Sequence, residues 1–551
     1  MRNKKILQVH PSDNVLVALS DLKAGERIDI SGSTVDLAED ISAKHKFAIH
    51  EIAKDELIFM YGTVVGRALT NIAAGQAITI ENVIHHSLDF SADKKTTHWN
   101  SLDVSKWENK FFLGYHRENG SVGTMNVWLV VSLVFCENRN VELVREALEN
   151  ELGYGPKKEY GLNIKPLVKL YKGGADVTKI LASDIASDAN GVGDSRVFNN
   201  VDGVKFLTHN AGCGGTRQDA EAFCALLAGY ITHPNVAGAT VLSLGCQNAE
   251  EKILMEYIHK YDPGFDKPLY ILEQQNSASE KEYIIDAVKK TFCGLIEANK
   301  FERKPAPLNK LVLGVECGGS DGFSGISANP ALGHASDILV SLNGSVVLAE
   351  FPELNGVEQE LINRCIHEKD AAKFIDLMKT YNKRAKDSGS GFEANPSPGN
   401  IKDGLITDAM KSAGAAKKGG TSPVVEVLDY TEQVTKPGLS LLCTPGNDVE
   451  STTGLAGSGA NVIVFTTGLG TPTGNPIAPT IKASSNTALF QRMNDIIDFN
   501  AGTIISGEDS IESKGEELID YIIKVASGDE IPKSVQLGQD DFIPWKRGIS
   551  L

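Results

Sequence analysis

From residue 110 onward, short apolar runs alternate with longer amphipathic ones, and most of the apolar runs end in loops containing glycine or proline. The short runs are NVWLVVSLVF, VKFLTH, ATVLSL, KLVLGVE, SVVLAEF, GLSLL and NVIVFTT. Among them lie VELVREALENEL, RQDAEAFCALLAGYI and GVEQELINRCIHEKDAAKFIDLMKTYNKRA, which carry a helical pattern of apolar residues. Short β-branched runs that are apolar on both faces read as strands covered on both sides. Strands separated by helices build parallel sheets. The fold class is therefore multidomain α/β, with mostly parallel sheets in the large region.

The beginning of the chain has another texture. KILQVH, NVLVAL, LKAGERIDI, KFAIHEI, ELIFMYG and NIAAGQAITI are short and punctuated by Gly25, Gly62, Gly66 and Gly75. That spacing reads as a small all-β domain over residues 1–90. HSLDFSADKKTTHWNSLDVSKWEN is polar and aperiodic, and its residues 91–109 read as a linker. Two α/β domains follow, 110–303 and 304–551, divided near ANKFERKPAP. No fixed-period repeat interrupts this order.

Charge and cysteine content narrow the function classes. Lys+Arg number 54 against 71 Asp+Glu, a formal charge of −17. A nucleic-acid binder normally shows a basic stripe instead. No run approaches the about 18 apolar residues of a membrane span, and Pro11, Ser12, Asp13 and Asn14 interrupt any leader-like start. Eight cysteines in 551 residues are sparse for a secreted scaffold and fit a reducing cytoplasm.

The chemistry-bearing residues lie just past the apolar runs. Cys136 follows VVSLVF. His209 ends VKFLTH, and Cys213 follows in HNAGCGG. Cys246 lies in GCQNAE and Cys317 in ECGGSDGFSG. Glu350 and Glu353 end SVVLAEFPE, and Asn447 and Asp448 follow GLSLLCTPG. Open α/β sheets bind ligands beyond the carboxyl ends of their strands, so these loops are expected to share one crevice. Thiolates, imidazoles and carboxylates together suit iron or zinc. Scattered cysteines can also supply an iron–sulfur cluster. The plainer reading of a free cysteine is a small buried hydrophobe; Cys224 and Cys293, inside helical patterns, are read that way. No Walker A motif and no GxGxxG in Rossmann context occurs, which disfavours nucleotide chemistry. In the first domain His10, beside Asp13 and Asn14, and the pair His45-Lys46 stand out at strand ends. They are expected to reach the active site, since a proton-transfer enzyme near neutral pH is well served by His.

Taken in order, VHPSDNVLVAL, AKHKFA, MYGTVVGRAL, GYHRENGSVGTMN, DGVKFLTHNAGCGG, LGCQN, ECGGSDGFSGISANPALG, AEFPELNGVEQEL, NPSPGNIKDGLIT, TPGND and FTTGLGTPTGNPIAPTIKASSNT resemble the altronate/galactarate dehydratase family over essentially the whole chain. The resemblance implies an SAF-like (β-clip) first domain and a hydro-lyase that removes water from a sugar acid. D-altronate, giving 2-dehydro-3-deoxy-D-gluconate in hexuronate breakdown, is the leading substrate. A lyase for galactarate or sulfolactate, or a sugar-acid-binding relative without catalysis, are the alternatives. It also implies iron(II), with manganese(II) as a substitute. Assembly of like chains is left open. The residues expected to act are His10, His45, Lys46 and His209 in catalysis, and Cys136, Cys213, Cys246, Cys317 and Glu350 on metal. Substrate contacts are expected from Asn14, Arg117, Asn126, Ser320, Asp321, Asn400, Lys402, Asn447 and Asp448. Three positions depart from the family pattern: Met125 and Leu469 stand where basic residues are expected, and Gln247 where Glu is common. Lys46, Arg117, Lys402, Lys411 or Lys482 are the cations left to bind a substrate carboxylate.

Overall fold

The computed structural model describes residues 5–30, 33–95, 97–155, 160–188 and 196–550. The first domain is built of short antiparallel pairings: Ile6–Leu7, Val15–Ala18 and Lys46–Ala48 in one sheet, Leu57–Met60, Thr63–Ala68 and Val83–Ile84 in another. The second domain holds four parallel strands in the order Gly203–Leu207, Val127–Ser132, Val236–Ser243, Leu269–Glu273. The third holds seven parallel strands. Val312–Cys317 is central, with Ser345–Leu348, Gly438–Leu442 and Val424–Leu428 to one side and Val462–Thr467, Thr480–Ser484 and Phe499–Asn500 to the other. Most of these strands are buried at every position, as a sheet covered on both faces requires.

The domains share their apolar interiors. One cluster runs from Val15, Ile58 and Val65 of the first domain to Phe323, Ile406 and Met410 of the third. A second joins Leu226 and Tyr230 to Leu455 and Ile463. Here the helix Arg217–Thr232 packs on the helix Asp448–Gly457, and a Cβ at Gly229 would lie 2.0 Å from the Gly457 carbonyl oxygen. The polar stretch after residue 90 is a bound strap. Thr97 Oγ1 donates to Asn363 O, Trp99 Nε1 to Thr421 Oγ1, and Trp107 Nε1 to Asp520 Oδ1. Residues Arg303–Pro307 form an edge strand against Phe111–His116. Among the described residues, no helix is long and apolar enough to cross a membrane.

Candidate active site

In the third domain the chain leaves Val312–Cys317 toward one edge of the sheet and returns through Val462–Thr467 on the other side. Such a reversal opens a crevice at the carboxyl ends of the strands. Five loops meet there: 318–326, 349–355, 443–448, 468–475 and 485–486. Gly318 N donates to Thr466 O, and Gly468 N and Leu469 N both donate to Gly319 O. A Cβ at Gly318 would meet Asp448 Oδ2, so the glycine lets that carboxylate lie against the loop.

Below the loops is a buried charge cluster. Lys418 Nζ lies 2.5 Å from Glu350 Oε2 and 2.8 Å from Cys317 Sγ. Cys317 Sγ donates to Glu353 Oε2 at 3.3 Å, and Lys411 Nζ pairs with Glu353 Oε1 at 2.6 Å. Glu350 sits at φ +64°, a left-handed backbone rarely adopted by a side-chain-bearing residue and held here by the packing around it. Its N–H donates to Thr444 Oγ1, which aims the carboxylate inward. Ser451 Oγ donates to Glu316 Oε2. Burial, then Glu350, push the Glu316 carboxyl well up, so it holds a proton. Burial alone would also raise Glu353, but Lys411 and Lys418 outweigh it and keep it ionised. Burial, then Glu353, raise the Glu350 carboxyl, and Lys418 beside it opposes that rise.

Above the cluster lies a cavity of about 350 Å³ whose wall includes Pro352, Phe392, Asn395, Ser397 and Gly446. Asn395 Nδ2 donates to Glu353 Oε1 and Asn395 Oδ1 accepts from Lys411 Nζ, so the cavity rests directly on the ionised pair. Asp448 follows two residues after Gly446. Burial, then Glu350 and Glu353, push its carboxyl up to about 7.

The first domain closes the opposite side. Lys44, at φ +76°, extends Nζ to Asp403 Oδ1 at 2.7 Å and to Asp321 Oδ2 at 3.1 Å. Asp321 is fully buried and also accepts from Ser324 Oγ, Ser485 Oγ and Asn486 Nδ2. Neither Gly322 nor Gly404 has room for a side chain, because Lys44 O lies 2.4 and 2.5 Å from where their Cβ atoms would be. His45 Nε2 meets Lys402 O at 3.1 Å, and Lys46 Nζ donates to Gly404 O at 2.7 Å. Burial lowers both pKa values, that of Lys46 to about 7.

The expected site residues divide accordingly. The third-domain crevice gathers Ser320, Asp321, Asn400, Lys402, Asn447, Asp448, Cys317 and Glu350, with His45 and Lys46 at its wall. Asn400 is held by Ser397 and donates to Ser320 O, and Asn447 caps the helix that begins at Asp448. Asn14, Arg117 and Asn126 have their polar atoms engaged elsewhere, and His10 lies exposed in the first domain. Asn14 bridges Leu57 O and Phe59 N inside the first domain, and His10 bonds to Ser12 Oγ and Asp13 there. Arg117 and Asn126 bond each other, Pro234 O, Asn200 O and Ala298 O, near the amino end of the second-domain strands. His209 offers no free nitrogen: Nε2 meets Ser132 O at 2.8 Å and Nδ1 accepts from Ala211 N. Cys136, Cys213 and Cys246 lie in the second domain, not beside Cys317. Lys46 and Lys482 are fully buried, leaving Lys411, which bonds Asn395 in the cavity wall, and the exposed Lys402, at the end of the helix that begins at Pro398. Lys44 and Lys418 were not singled out in the sequence: AKHKFA and AAKKGG carry no motif that distinguishes one lysine from its neighbour.

Cys317, Glu350 and Glu353 place three ligand atoms within 4.8 Å of one another, and among the described residues no other such group occurs. A thiolate with carboxylates suits a divalent transition ion, and Glu350 Oε1 and Glu316 Oε1 are buried without partners. The Lys418 ammonium, however, already lies against two of the three donors, Glu350 and Cys317. Burial, then Glu350, keep the Cys317 thiol protonated. These residues do not fit a divalent ion as they stand.

Three family models match the chain: "Altronate/galactarate dehydratase SAF domain" over 4–86, "D-galactarate dehydratase/Altronate hydrolase, second domain" over 114–299, and "D-galactarate/Altronate dehydratase, C-terminal" over 308–550. Altronate dehydratase of Bacillus subtilis (strain 168) is 34% identical over 526 residues, 95% of each chain. Altronate dehydratase of Escherichia coli (strain K12) is 32% identical over 95% of each chain. Galactarate dehydratase (L-threo-forming) of the same organism is 31% identical over 97% of this chain and 94% of its own.

Proposed function

The chain belongs to the altronate/galactarate dehydratase family, and from that premise we propose that it is a hydro-lyase converting D-altronate to 2-dehydro-3-deoxy-D-gluconate. The observation that carries the reading is the cavity over Glu353 and Lys411, rimmed by the AEFPE, NPSPGN and TPGND loops. Its size suits a six-carbon acid.

Dehydration needs a base for the C2 proton, a counter-charge for the carboxylate and the enediolate, and a proton for the departing C3 hydroxyl. Lys411, with Lys402 at the rim, binds the carboxylate. The Lys411 ammonium stays charged throughout, because Glu353 outweighs its burial. Asp448 takes the C2 proton: a carboxyl titrating at about 7 is half ionised at neutral pH and still basic enough to act. The C3–O bond then breaks, and the hydroxyl leaves as water with the proton Asp448 has just acquired. The enol product ketonises to the 2-keto acid. Lys418, Glu350 and Cys317 hold Glu353 in place from beneath. The eight free cysteines support a cytoplasmic setting.

The test is a 2-keto acid assay with D-altronate, galactarate and (2R)-sulfolactate offered in parallel. Product from D-altronate alone supports the proposal. Turnover of galactarate only, or of none, refutes it.

A further inference from the structure

The second domain carries side chains for which this reaction has no use. Strands Gly203–Leu207, Val127–Ser132 and Val236–Ser243 lie side by side and parallel, so the loops leaving their carboxyl ends emerge together. Each loop carries one cysteine: Cys213, Cys136 and Cys246. The loops are joined through the main chain. Phe135 N donates to Ala211 O at 3.1 Å, and Ala249 N donates to Gly212 O at 3.1 Å. Gly212 makes the approach possible, since at φ +97° a Cβ would lie 2.0 Å from Leu133 O. His209 pins the same loop to Ser132 through Nε2 and accepts from Ala211 N through Nδ1. Gln247 closes the third loop, accepting from Gly245 N and donating to Ser243 Oγ.

All three thiols are free and exposed. Free cysteine is ordinarily among the most buried residue types, and Cys224, Cys317, Cys365 and Cys443 obey that rule here. Packing accounts for those four and not for three exposed cysteines at one sheet end.

We infer that Cys136, Cys213 and Cys246 are the thiolate ligands of an iron–sulfur cluster seated at the shared end of these strands. A single ion is the poorer fit. Ligands at about 2.3 Å from one metal lie at most about 4.6 Å apart, and these sulfurs do not form a set within 4.8 Å. A cluster offers each thiolate a different iron and accepts the wider spacing. Three cysteines leave one iron of a four-iron cluster without a thiolate, open to an oxygen ligand as a Lewis acid. His209, neutral because burial drives its pKa down to about 4, is then a positioning residue for the cluster loop.

The experiment uses the full chain, prepared anaerobically and reconstituted with ferrous iron and sulfide. The expected result is bound iron and acid-labile sulfide in equal amounts, with visible charge-transfer absorption. Alkylation mapped by mass spectrometry should then find Cys136, Cys213 and Cys246 protected and Cys293, another exposed thiol, labelled. The C136S, C213S and C246S variants should lose iron and sulfide while C293S keeps them. The alkylation map needs no variant to fold. Iron bound without sulfide, no iron bound, or equal labelling of the three cysteines with and without iron would overturn the inference. None of these readouts needs a substrate, so they stand or fall apart from the altronate proposal.

Discussion

Replacing Lys418 with Met tests whether the buried cluster is a self-neutralised ion group. In the wild type Glu350 Oε2 has two donors, Lys418 Nζ at 2.5 Å and Cys317 N at 3.2 Å, while Oε1 has none. Both the Lys418 and Glu350 side chains are 1% exposed. Met keeps most of the lysine volume, so the cavity contribution is small. What is lost is the counter-charge, leaving a buried carboxylate with one main-chain donor. Removing one member of a buried pair typically costs about 3–5 kcal/mol. The K418M/E350Q double variant removes both charges, so it should recover part of that loss, with a coupling energy of about 2 kcal/mol. Urea unfolding of the full chain at pH 7, followed by far-UV circular dichroism, measures K418M, E350Q and the double variant against wild type. A cost under about 1 kcal/mol for K418M, far below the range for breaking a buried pair, would refute the reasoning. So would a double variant no more stable than K418M. Either result would mean that the lysine is not the counter-ion and that the three donors are free for a metal.

Three further outcomes follow from the geometry. In the wild type, kcat on D-altronate should rise with pH through about 7 as Asp448 ionises; D448N should lose activity at every pH while remaining folded. Lys44→Ala removes the ion pairs to Asp321 and Asp403 and should lower kcat/KM at least about tenfold, equivalent to 1.4 kcal/mol, with no loss of secondary structure. His209 titrates near 4 when folded against 6.5 free, so between those values the unfolded chain binds the extra proton. Stability should therefore fall as pH drops from 6.5 to 4, by roughly 3 kcal/mol in all, and H209Q should flatten that slope in denaturation measured across the window.

The strands that announce themselves in the sequence are those whose residues are apolar on both faces, such as VIVFTT and GLSLL. TIKAS, next to last in the seven-stranded sheet, and VVEVL, outermost on the other side, are almost as fully buried, but Lys482 and Glu426 break their apolar pattern. The sheet tolerates these two because each has hydrogen-bond partners, Gln539 for the lysine and Thr435 and Ser440 for the glutamate. RKPAP hides for another reason: proline is excluded from central strands but accepted at an edge, where it pairs on one side only. The strand-end rule located the cysteines, Glu350, Glu353 and Asp448, because it depends on topology alone. It did not separate Cys317 from the other three, since the order of strands across two sheets is not written in local spacing. His10, Asn14, Arg117 and Asn126 show the opposite limit. A polar residue in a motif can be there to satisfy main-chain groups, and only tertiary contacts distinguish that from a free ligand.

Lys44 shows why the first domain and the third act as one body. Its positive φ costs of order 1 kcal/mol in a residue other than glycine, and glycines at 322 and 404 let its carbonyl come close. That arrangement persists because the surroundings hold it: the apolar core is continuous across the two domains, Tyr61 fills the space beside Gly325, and Thr407 Oγ1 donates to Val65 O. The lysine then reaches Asp321, whose carboxylate also ties together the loops after Cys317 and Ser484. A shift of the first domain would therefore be felt at Cys317 through the 318–324 loop. His45 and Lys46, expected with His10 as catalytic groups, bond Lys402 O and Gly404 O at the crevice wall, and Lys44 beside them makes the ion pairs to Asp403 and Asp321.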